Sequence, residues 1–354
     1  MILKVMKNSA LAAKIHAMSG SALKSKDYDA LMQLRSVPAV ATYLAENTRY
    51  KSVLEKTPVS ALHRGQLEQL LKSQTLNDIV ALLHYADASG TFLLKVLEIQ
   101  DGIEKLKVFL RLMHINKCSQ IAEYTFNIPF GNEIIKAEDL AGITSFSGLL
   151  DFLKPTPYYQ ALKSFSGDPV RQDLFYLEVA LDTYWAKVIS QYTKKYLSPD
   201  EAKISNKTYG TEIDLDNLAF LLRCTERFKM SSDEIYACIV PSYYRLKQST
   251  VTKIVNCDSP KDAYRIISSE TPYGDAFSPS DRFLEKRKND YMAKLHKRVL
   301  SVYPYSSQAA ISYIHLRRIE INNIVSVIEG IRYGLEPKQI KEYLIGYDKG
   351  DAEK

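Results

Sequence analysis

The sequence is poor in glycine, with 14 Gly among its 354 residues. That is about 4%, against roughly 7% in average proteins. Low glycine argues against a turn-rich all-β protein and against an enzyme built on glycine-rich phosphate loops. Hydrophobic residues make up 46% and charged residues 25%, which is an ordinary globular composition and excludes global disorder.

Cysteine and long apolar runs are also scarce. The four cysteines form no Cys-x-x-Cys pair and are too few for a disulfide scaffold, so a reducing compartment is favoured. The N-terminus lacks the long apolar segment of a signal peptide. The longest stretch without formal charge, residues 299–316, contains Pro304 and four serines, and a bilayer would not accept it as a spanning helix. Any work at a membrane is therefore expected to be peripheral.

The sequence contains no familiar catalytic motif. It has no P-loop, no Gly-x-Gly-x-x-Gly and no His-Glu-x-x-His, and its six histidines lack ligand spacing. Two carboxylate pairs, Asp27 with Asp29 and Asp214 with Asp216, are interpreted as charges at helix starts. We therefore predict a chain with no catalytic residue, no cofactor and no metal, which neither binds nor hydrolyses ATP.

Hydrophobic residues recur at helical spacing along most of the chain. Strand signals are weak, and no Asn-Gly hairpin is present, so the predicted fold class is all-α. Gly334 is predicted to stop the last long helix in a left-handed conformation, and Pro337 to open a further short helix. The clearest helical patterns cover residues 91–113, 174–196, 214–228 and 309–334.

A short signature occurs three times, 108 and then 115 residues apart. It consists of Thr-x-Tyr, followed four positions after the Tyr by Leu or Phe. Upstream of each copy stands a serine that we expect to cap a short helix: Ser36, Ser145 and Ser259. Such regular spacing indicates an internal repeat. The signature residues are Thr48, Tyr50, Thr156, Tyr158, Thr271 and Tyr273.

Each signature is followed by a longer helical region. Residues 212–223 match residues 318–329, with Asn217 opposite Asn323, whereas the first copy has Lys105 at that position. The pattern predicts three similar helical domains: 1–128, 129–235 and 236–354. In each, the Thr is expected to cap the helix that begins nearby, and the Tyr to pack in an equivalent cluster.

Positive charge is concentrated in the last third of the chain. The net charge is +6, and residues 282–298 hold seven basic and two acidic side chains on an amphipathic helix that Ser280 is predicted to cap. This face is either simply solvated or a contact for an acidic partner or anionic headgroups. The candidate contact residues are Lys286, Arg287, Lys288, Arg317, Arg318 and Arg332.

Both ends of the chain resemble the C subunit (the d subunit in eukaryotes) of V-type and A-type rotary ATPases. The resemblance is carried by residues 317–335 with the short helix after them, and by residues 12–17, 24–34 and 43–50. With the length and the repeat, it spans essentially the whole chain. It implies a funnel of three similar helical domains arranged around a pseudo-threefold axis.

The resemblance also implies a function. The protein would be a non-catalytic rotor subunit, one copy per complex, and a socket between the central stalk of the catalytic head and the membrane rotor ring. It would lie peripherally on the cytoplasmic face of a membrane and serve ion transport, with no nucleic acid and no small-molecule substrate. The alternatives are a helical-repeat scaffold unrelated to rotary motors, a nucleic-acid binder and an enzyme with an unmarked site. The sequence does not indicate which ion is transported, or whether the complex makes ATP or hydrolyses it.

Overall fold

A computed structural model describes most of the chain: residues 2–55, 57–58, 62–85, 90–123, 127–130, 133–167, 172–226, 230–277 and 283–347. Within them the secondary structure is almost entirely helical, which confirms the predicted class. None of the described helices is long and apolar enough to cross a bilayer. In chain order the helices are α1 (Ile2–Ser19), α2 (Ser25–Met32), α3 (Val37–Asn47), α4 (Lys51–Leu54), α5 (Arg64–Leu83), α6 (Gly90–His114), α7 (Ala137–Ala141), α8 (Phe146–Leu153), α9 (Tyr159–Leu162), α10 (Leu174–Tyr196), α11 (Pro199–Glu226), α12 (Ser232–Cys238), α13 (Gln248–Val255), α14 (Pro260–Glu270), α15 (Leu284–Val302), α16 (Ser307–Arg332) and α17 (Pro337–Lys341).

The chain divides into two compact units. Unit 1 combines the segments Met1–Gly90 and Ala276–Lys354, and unit 2 is the segment Thr91–Asp275. In unit 1 the core joins α2, α3 and α5 to α16 and α17. In unit 2 a core joins α6 to α8, α9 and α10. Each core is made mainly of Leu and Ile side chains, whose burial supplies roughly 1.5–3 kcal/mol apiece.

The long helices follow the predicted periodicity, with one exception. The structure confirms the patterns at 91–113, 174–196 and 309–334 as α6, α10 and α16. The pattern at 214–228 is only the second half of α11, which begins at Pro199. Gly334 has φ +66° and follows α16, and the N–H of Leu335 donates to the carbonyl of Gly330 at 2.9 Å. The predicted left-handed stop is therefore confirmed, as is the start of α17 at Pro337.

Three groups of short helices carry the three signatures. We call α2 to α4 head 1, α7 to α9 head 2, and α13, α14 and the following 3-10 turn Gly274–Ala276 head 3. The hydroxyls of Ser36, Ser145 and Ser259 accept hydrogen bonds from the first-turn N–H groups of α3, α8 and α14. The three predicted N-caps are confirmed.

A short β-ribbon, which the sequence did not indicate, precedes head 2. Strand β1 (Asn127–Phe130) pairs antiparallel with β2 (Glu133–Lys136). Ile128 lies opposite Ile135, and both side chains are buried in the core of unit 2. Four-residue strands are too short to show an alternating pattern, and their pairing is stabilised here by packing on α-helices.

Candidate functional site: three tyrosine joints and a basic helix

The three signature tyrosines are among the largest fully buried side chains of the described chain. Tyr50, Tyr158 and Tyr273 are 1%, 0% and 1% exposed. Each one brings its ring against a long helix of the same unit: α16 for Tyr50, α6 for Tyr158 and α11 for Tyr273. We call these contacts the first, second and third joints, by the number of the head.

The third joint is centred on a buried carboxylate. Asp214, in the middle of α11, is fully buried and accepts the Tyr273 hydroxyl at 2.7 Å. It also accepts the backbone N–H groups of Tyr244, Arg245 and Leu246 at 2.6–3.0 Å. Four donors therefore surround one carboxylate, which offsets the cost of removing the charge from water. Asp214 fixes both the tyrosine and the chain entering head 3.

The first joint repeats this arrangement with a glutamate. Glu320 of α16 accepts the Tyr50 hydroxyl at 2.8 Å and the backbone N–H of Leu23 at 2.8 Å. Leu23 stands two residues before α2, as Leu246 stands two residues before α13. Arg317, one turn earlier on α16, donates to Glu320 at 2.8 Å. Burial and the negative charge of Glu320 both raise the pKa of Tyr50, so the phenol stays protonated and donates.

The second joint has no carboxylate. Gly102 of α6 faces the Tyr158 ring so closely that a Cβ atom there would lie 1.9 Å from the Tyr158 hydroxyl oxygen. That hydroxyl has no hydrogen-bond partner among the described residues. Burial raises the pKa of the phenol, so it too stays neutral. Apolar packing replaces the hydrogen bond at this joint, and only glycine leaves room for the ring.

A matching pair of asparagines follows the two carboxylates. The side-chain amide of Asn217 bonds the backbone of Val240 in both directions, N–H and C=O each at 3.0 Å. Asn323 makes the same two bonds to Ile345, at 2.9 and 2.8 Å. Each asparagine lies three residues after its joint carboxylate. Its side-chain amide serves as the hydrogen-bonding partner of a backbone group in the segment that follows the long helix. Lys105, three residues after Gly102, instead pairs with Asp101 on its own helix.

The signature threonines act at the end of the preceding helix. Thr48 and Thr271 donate to the carbonyls of Leu44 and Ile267, four residues earlier, at 2.6 and 2.7 Å. The hydroxyl oxygens of the two threonines also accept hydrogen bonds from the backbone N–H groups of Tyr50 and Tyr273. Thr156 donates to a carbonyl three residues back. The sequence pattern predicts these hydroxyls at the start of the following helix; the structure shows them closing the preceding one and, in two copies, positioning the tyrosine.

Unit 1 contains an interior ion-pair network beside the first joint. Asp78 of α5 accepts the guanidinium of Arg49 and, at 2.8 Å, the hydroxyl of Tyr313. Arg49 also donates to the Tyr313 oxygen at 2.6 Å, and the guanidinium of Arg317 lies over the Tyr313 ring. Burial raises the pKa of Tyr313 to about 12. Two arginines and the carboxylates of Asp78 and Glu320 balance their charges, as buried ions require.

A pair of stacked histidines lies between α15 and α16. The rings of His296 and His315 are 4.6 Å apart and nearly parallel. His296 is 2% exposed, and its Nδ1 lies 3.1 Å from the Ser312 hydroxyl. Burial lowers the pKa of His296 to about 4. Burial first, and then the charges of His296 and Arg318, lower the pKa of His315. Both rings are neutral at pH 7.

The basic candidates do not form one surface. Lys286 and Lys288 pair with Asp290 and Glu285 on α15 at 2.7 and 2.8 Å, and Arg287 is exposed between them. Arg332 is exposed beside Glu329, and Arg318 is half-buried. Arg317 is 4% exposed and belongs to the interior network, so its assignment to a partner surface is corrected. Ser280 and Arg282 lie outside the described residues.

The joint carboxylates are not evident from the sequence pattern alone. The pattern indicates a helix-start charge at Asp214, but this residue lies fifteen residues into α11 and is buried, because the helix extends further toward the N-terminus than its apolar pattern. Asp27, in contrast, does serve a helix start, and its carboxylate accepts the N–H of Lys24. The available signal was the match of residues 212–223 to 318–329, which places Asp214 opposite Glu320.

The joints are contacts between buried side chains and long helices. The joint carboxylates and phenols are hydrogen-bonded to one another or to the backbone in the first and third joints and are closed off from solvent. No group of three or more metal-ligating side chains comes together within the described ranges. The joints therefore act as fasteners that hold each head on a long helix.

A family model and several relatives match almost the whole chain. The sequence model of the ATP synthase (C/AC39) subunit family matches residues 11–343. The chain is 22% identical to the C subunit of the A-type ATP synthase of Methanosarcina acetivorans over 94% of this chain and 91% of the relative. It is also 22% identical to the proteins of that name from Methanothermobacter thermautotrophicus and Pyrococcus abyssi, with 94% and 93% of this chain aligned to 86% and 88% of the relatives.

Proposed function

Because the chain belongs to the ATP synthase (C/AC39) subunit family, we propose that it is a non-catalytic rotor subunit of an A-type or V-type ATPase. Its role is to couple the central stalk of the catalytic head to the membrane rotor ring during ion transport. The observation that carries the proposal is the family match over almost the full chain. The partners are accordingly the stalk and ring subunits, with one copy of this chain per complex, peripheral to the cytoplasmic face of the membrane.

The recurring joint supports a threefold plan. We propose repeats at 1–128, 129–235 and 236–354, arranged as a funnel around a pseudo-threefold axis. Heads 2 and 3 are each fastened to the long helix of the repeat that precedes them in the sequence. Head 1 is fastened to the long helix of repeat 3. Such a cyclic order is what a closed ring of three repeats requires.

A socket that transmits torque must resist deformation. Close-packed interiors have low compressibility, and two of the heads are held on long helices by buried hydrogen bonds to charged groups. Bonds of this kind contribute roughly 1.5–3 kcal/mol each. The first joint is the one whose two halves lie furthest apart in the chain, since Tyr50 and Glu320 are 270 positions apart. The charge network of Asp78, Arg49 and Arg317 reinforces it.

The basic residues outside the interior network are proposed to guide docking; Arg287 and Arg332 are exposed, and the others are half-buried. Lys286, Arg287 and Lys288 lie at the start of α15, and Arg332 with Arg318 on α16. Their contact would be an acidic face on the stalk or on the ring. Electrostatic matching of this kind speeds and orients association more than it adds affinity.

The test is a reconstitution of the rotary complex with and without this chain. If the chain is the coupling socket, complexes lacking it should hydrolyse ATP without transporting ions, and adding the purified chain should restore transport. Ion transport that is fully coupled in the absence of this chain would contradict the proposal.

A further inference from the structure

One end of unit 1 carries exposed aromatic and aliphatic side chains. The turn between α15 and α16 presents Val302, Tyr303 and Tyr305 at 54%, 39% and 41% exposure. The turn is well fixed, because the N–H of Tyr303 donates to Val299 at 2.9 Å and that of Ser306 to Tyr303 at 3.0 Å. These side chains are therefore held outward by an ordered backbone.

Other segments reach the same end. Helix α5 runs antiparallel to α16, since Arg64 pairs with Glu329 at 2.5 Å and Asp78 binds Tyr313. The last turn of α5 and Tyr85, 43% exposed, thus lie beside the start of α16. We call the exposed end formed by Tyr85, Val302, Tyr303 and Tyr305 the tip.

Helix α1 is also anchored at the tip. The Asn8 amide donates to the Tyr305 carbonyl at 2.8 Å, and the Lys14 ammonium lies 5.9 Å from the centroid of the Tyr85 ring. Helix α1 begins at Ile2, six residues before Asn8, which is about 9 Å of helix. The sequence of those six residues is Ile-Leu-Lys-Val-Met-Lys, a mixture of apolar and basic residues without an acid.

Basic residues are the only formally charged residues in two of the segments that form the tip. The sequence contains no Asp or Glu from residue 1 to 26, nor from 291 to 319. These two segments include α1, the second half of α15 and the first half of α16. Lys294 and Arg298 are exposed one turn apart on α15. Asp87, two positions after Tyr85, lies outside the described residues.

We propose that the tip rests on an anionic lipid bilayer, with the tyrosine rings at headgroup depth and the start of α1 in the interface. Tyrosine suits that depth because its ring is apolar and its hydroxyl is polar. Lysine and arginine draw such a surface toward anionic headgroups. An acidic protein would account for the charge, but aromatic and apolar side chains that project from separate segments are what the bilayer interface accepts. All of these residues belong to unit 1, and direct lipid contact goes beyond the coupling role.

The experiment measures cosedimentation of the full chain with vesicles. At about 50 mM salt, where exposed charges are weakly screened, the chain should bind vesicles containing about 30% phosphatidylglycerol in phosphatidylcholine. It should bind pure phosphatidylcholine much less, and higher salt should release it. The double variant Lys294→Glu, Arg298→Glu should weaken binding by about 25-fold or more, since each basic residue near such a surface contributes about fivefold.

Matched variants separate the tip from the rest of the surface. Lys26→Glu with Lys338→Glu reverses two exposed charges in the region of α2 and α17 and should leave most binding intact. Brominated lipids should quench the tryptophan fluorescence introduced by Tyr303→Trp. They should not quench that introduced by Tyr333→Trp, because Tyr333 is 75% exposed at the far end of α16. No binding to anionic vesicles at low salt, or equal binding by the tip and control variants, would overturn the proposal. Capture of an acidic polypeptide instead of vesicles would overturn it as well.

Discussion

The hydroxyl of Tyr50 donates a 2.8 Å hydrogen bond to Glu320, although the two residues are 270 positions apart. Tyr273 makes the corresponding bond to Asp214. The third signature tyrosine, Tyr158, faces Gly102 and has no such partner among the described residues. Three copies of one signature thus reach similar burial by two different means, and the difference can be measured.

Removing each hydroxyl should separate the two kinds of joint. Tyr50→Phe and Tyr273→Phe should each lower the free energy of unfolding by about 1.5–3 kcal/mol, because each removes a buried bond to a carboxylate. Tyr158→Phe should be neutral or slightly stabilising, because it removes a buried oxygen that is not hydrogen-bonded in the described structure. Urea unfolding of the three variants tests this. Equal losses at all three positions would contradict the two-mode description.

A side chain at Gly102 should disrupt the second joint. Gly102→Ala places a Cβ within 1.9 Å of the Tyr158 oxygen, and such overpacking costs about 1–3 kcal/mol. Adding Tyr158→Phe should recover part of the loss, since the closest atom is then gone. Gly142→Ala is the control, because nothing lies within 4 Å of its Cβ position. Thermal unfolding that cannot distinguish Gly102→Ala from this control would refute the close contact.

Stability should fall in mild acid because of the stacked histidines. The pKa of His296 is about 4 in the folded chain, against roughly 6.5 when unfolded. Between those values the unfolded chain binds more protons, so stability present above pH 6.5 is lost as the pH falls toward 4, by about 3 kcal/mol. His296→Gln should flatten this slope in denaturant titrations, whereas His16→Gln, at an exposed position, should not. An unchanged slope in His296→Gln would assign the acid sensitivity elsewhere.

Charge reversal at the start of α15 should slow docking. Lys286→Glu, Arg287→Glu and Lys288→Glu together should reduce the association rate with stalk or ring subunits several-fold at low salt, and less at high salt. Lys203→Glu, a charge reversal at an 81% exposed position of α11, is a control. Stopped-flow or surface-based kinetics give the rates. If the association rates at low salt equal those of the native chain, the start of α15 is a solvated face and not a docking contact.

The sequence predicted the local features well because they depend on neighbouring residues. The N-caps at Ser36, Ser145 and Ser259 and the stop at Gly334 each follow from a few adjacent positions. The burial of Asp214 and Arg317 could not be predicted in this way, because it is determined by partners far along the chain. A charge that is buried with its partners looks, in sequence, like one that is solvated.

Hydrophobic periodicity also failed to predict part of one long helix. The start of α11 was missed because its first half is rich in polar residues, several of which are buried and hydrogen-bonded, such as Ser205 and Thr208. The joint itself was visible only as a repeated tyrosine. Its carboxylate becomes apparent only when the long-helix segments of repeats 2 and 3 are compared with each other. In the long helix of repeat 1 the corresponding residue is Gly102, which has no carboxylate.

The central claim is that this chain connects the head of a rotary ATPase to its membrane ring. The most direct measurement is affinity purification of the tagged chain from detergent-solubilised membranes of its own cells, followed by mass spectrometry of the intact complex. We expect one copy of the chain together with central-stalk and ring subunits, and loss of the tagged chain's ring contact when the complex is stripped to its head. Recovery of the chain alone, or with proteins that include neither stalk nor ring subunits, would contradict the account.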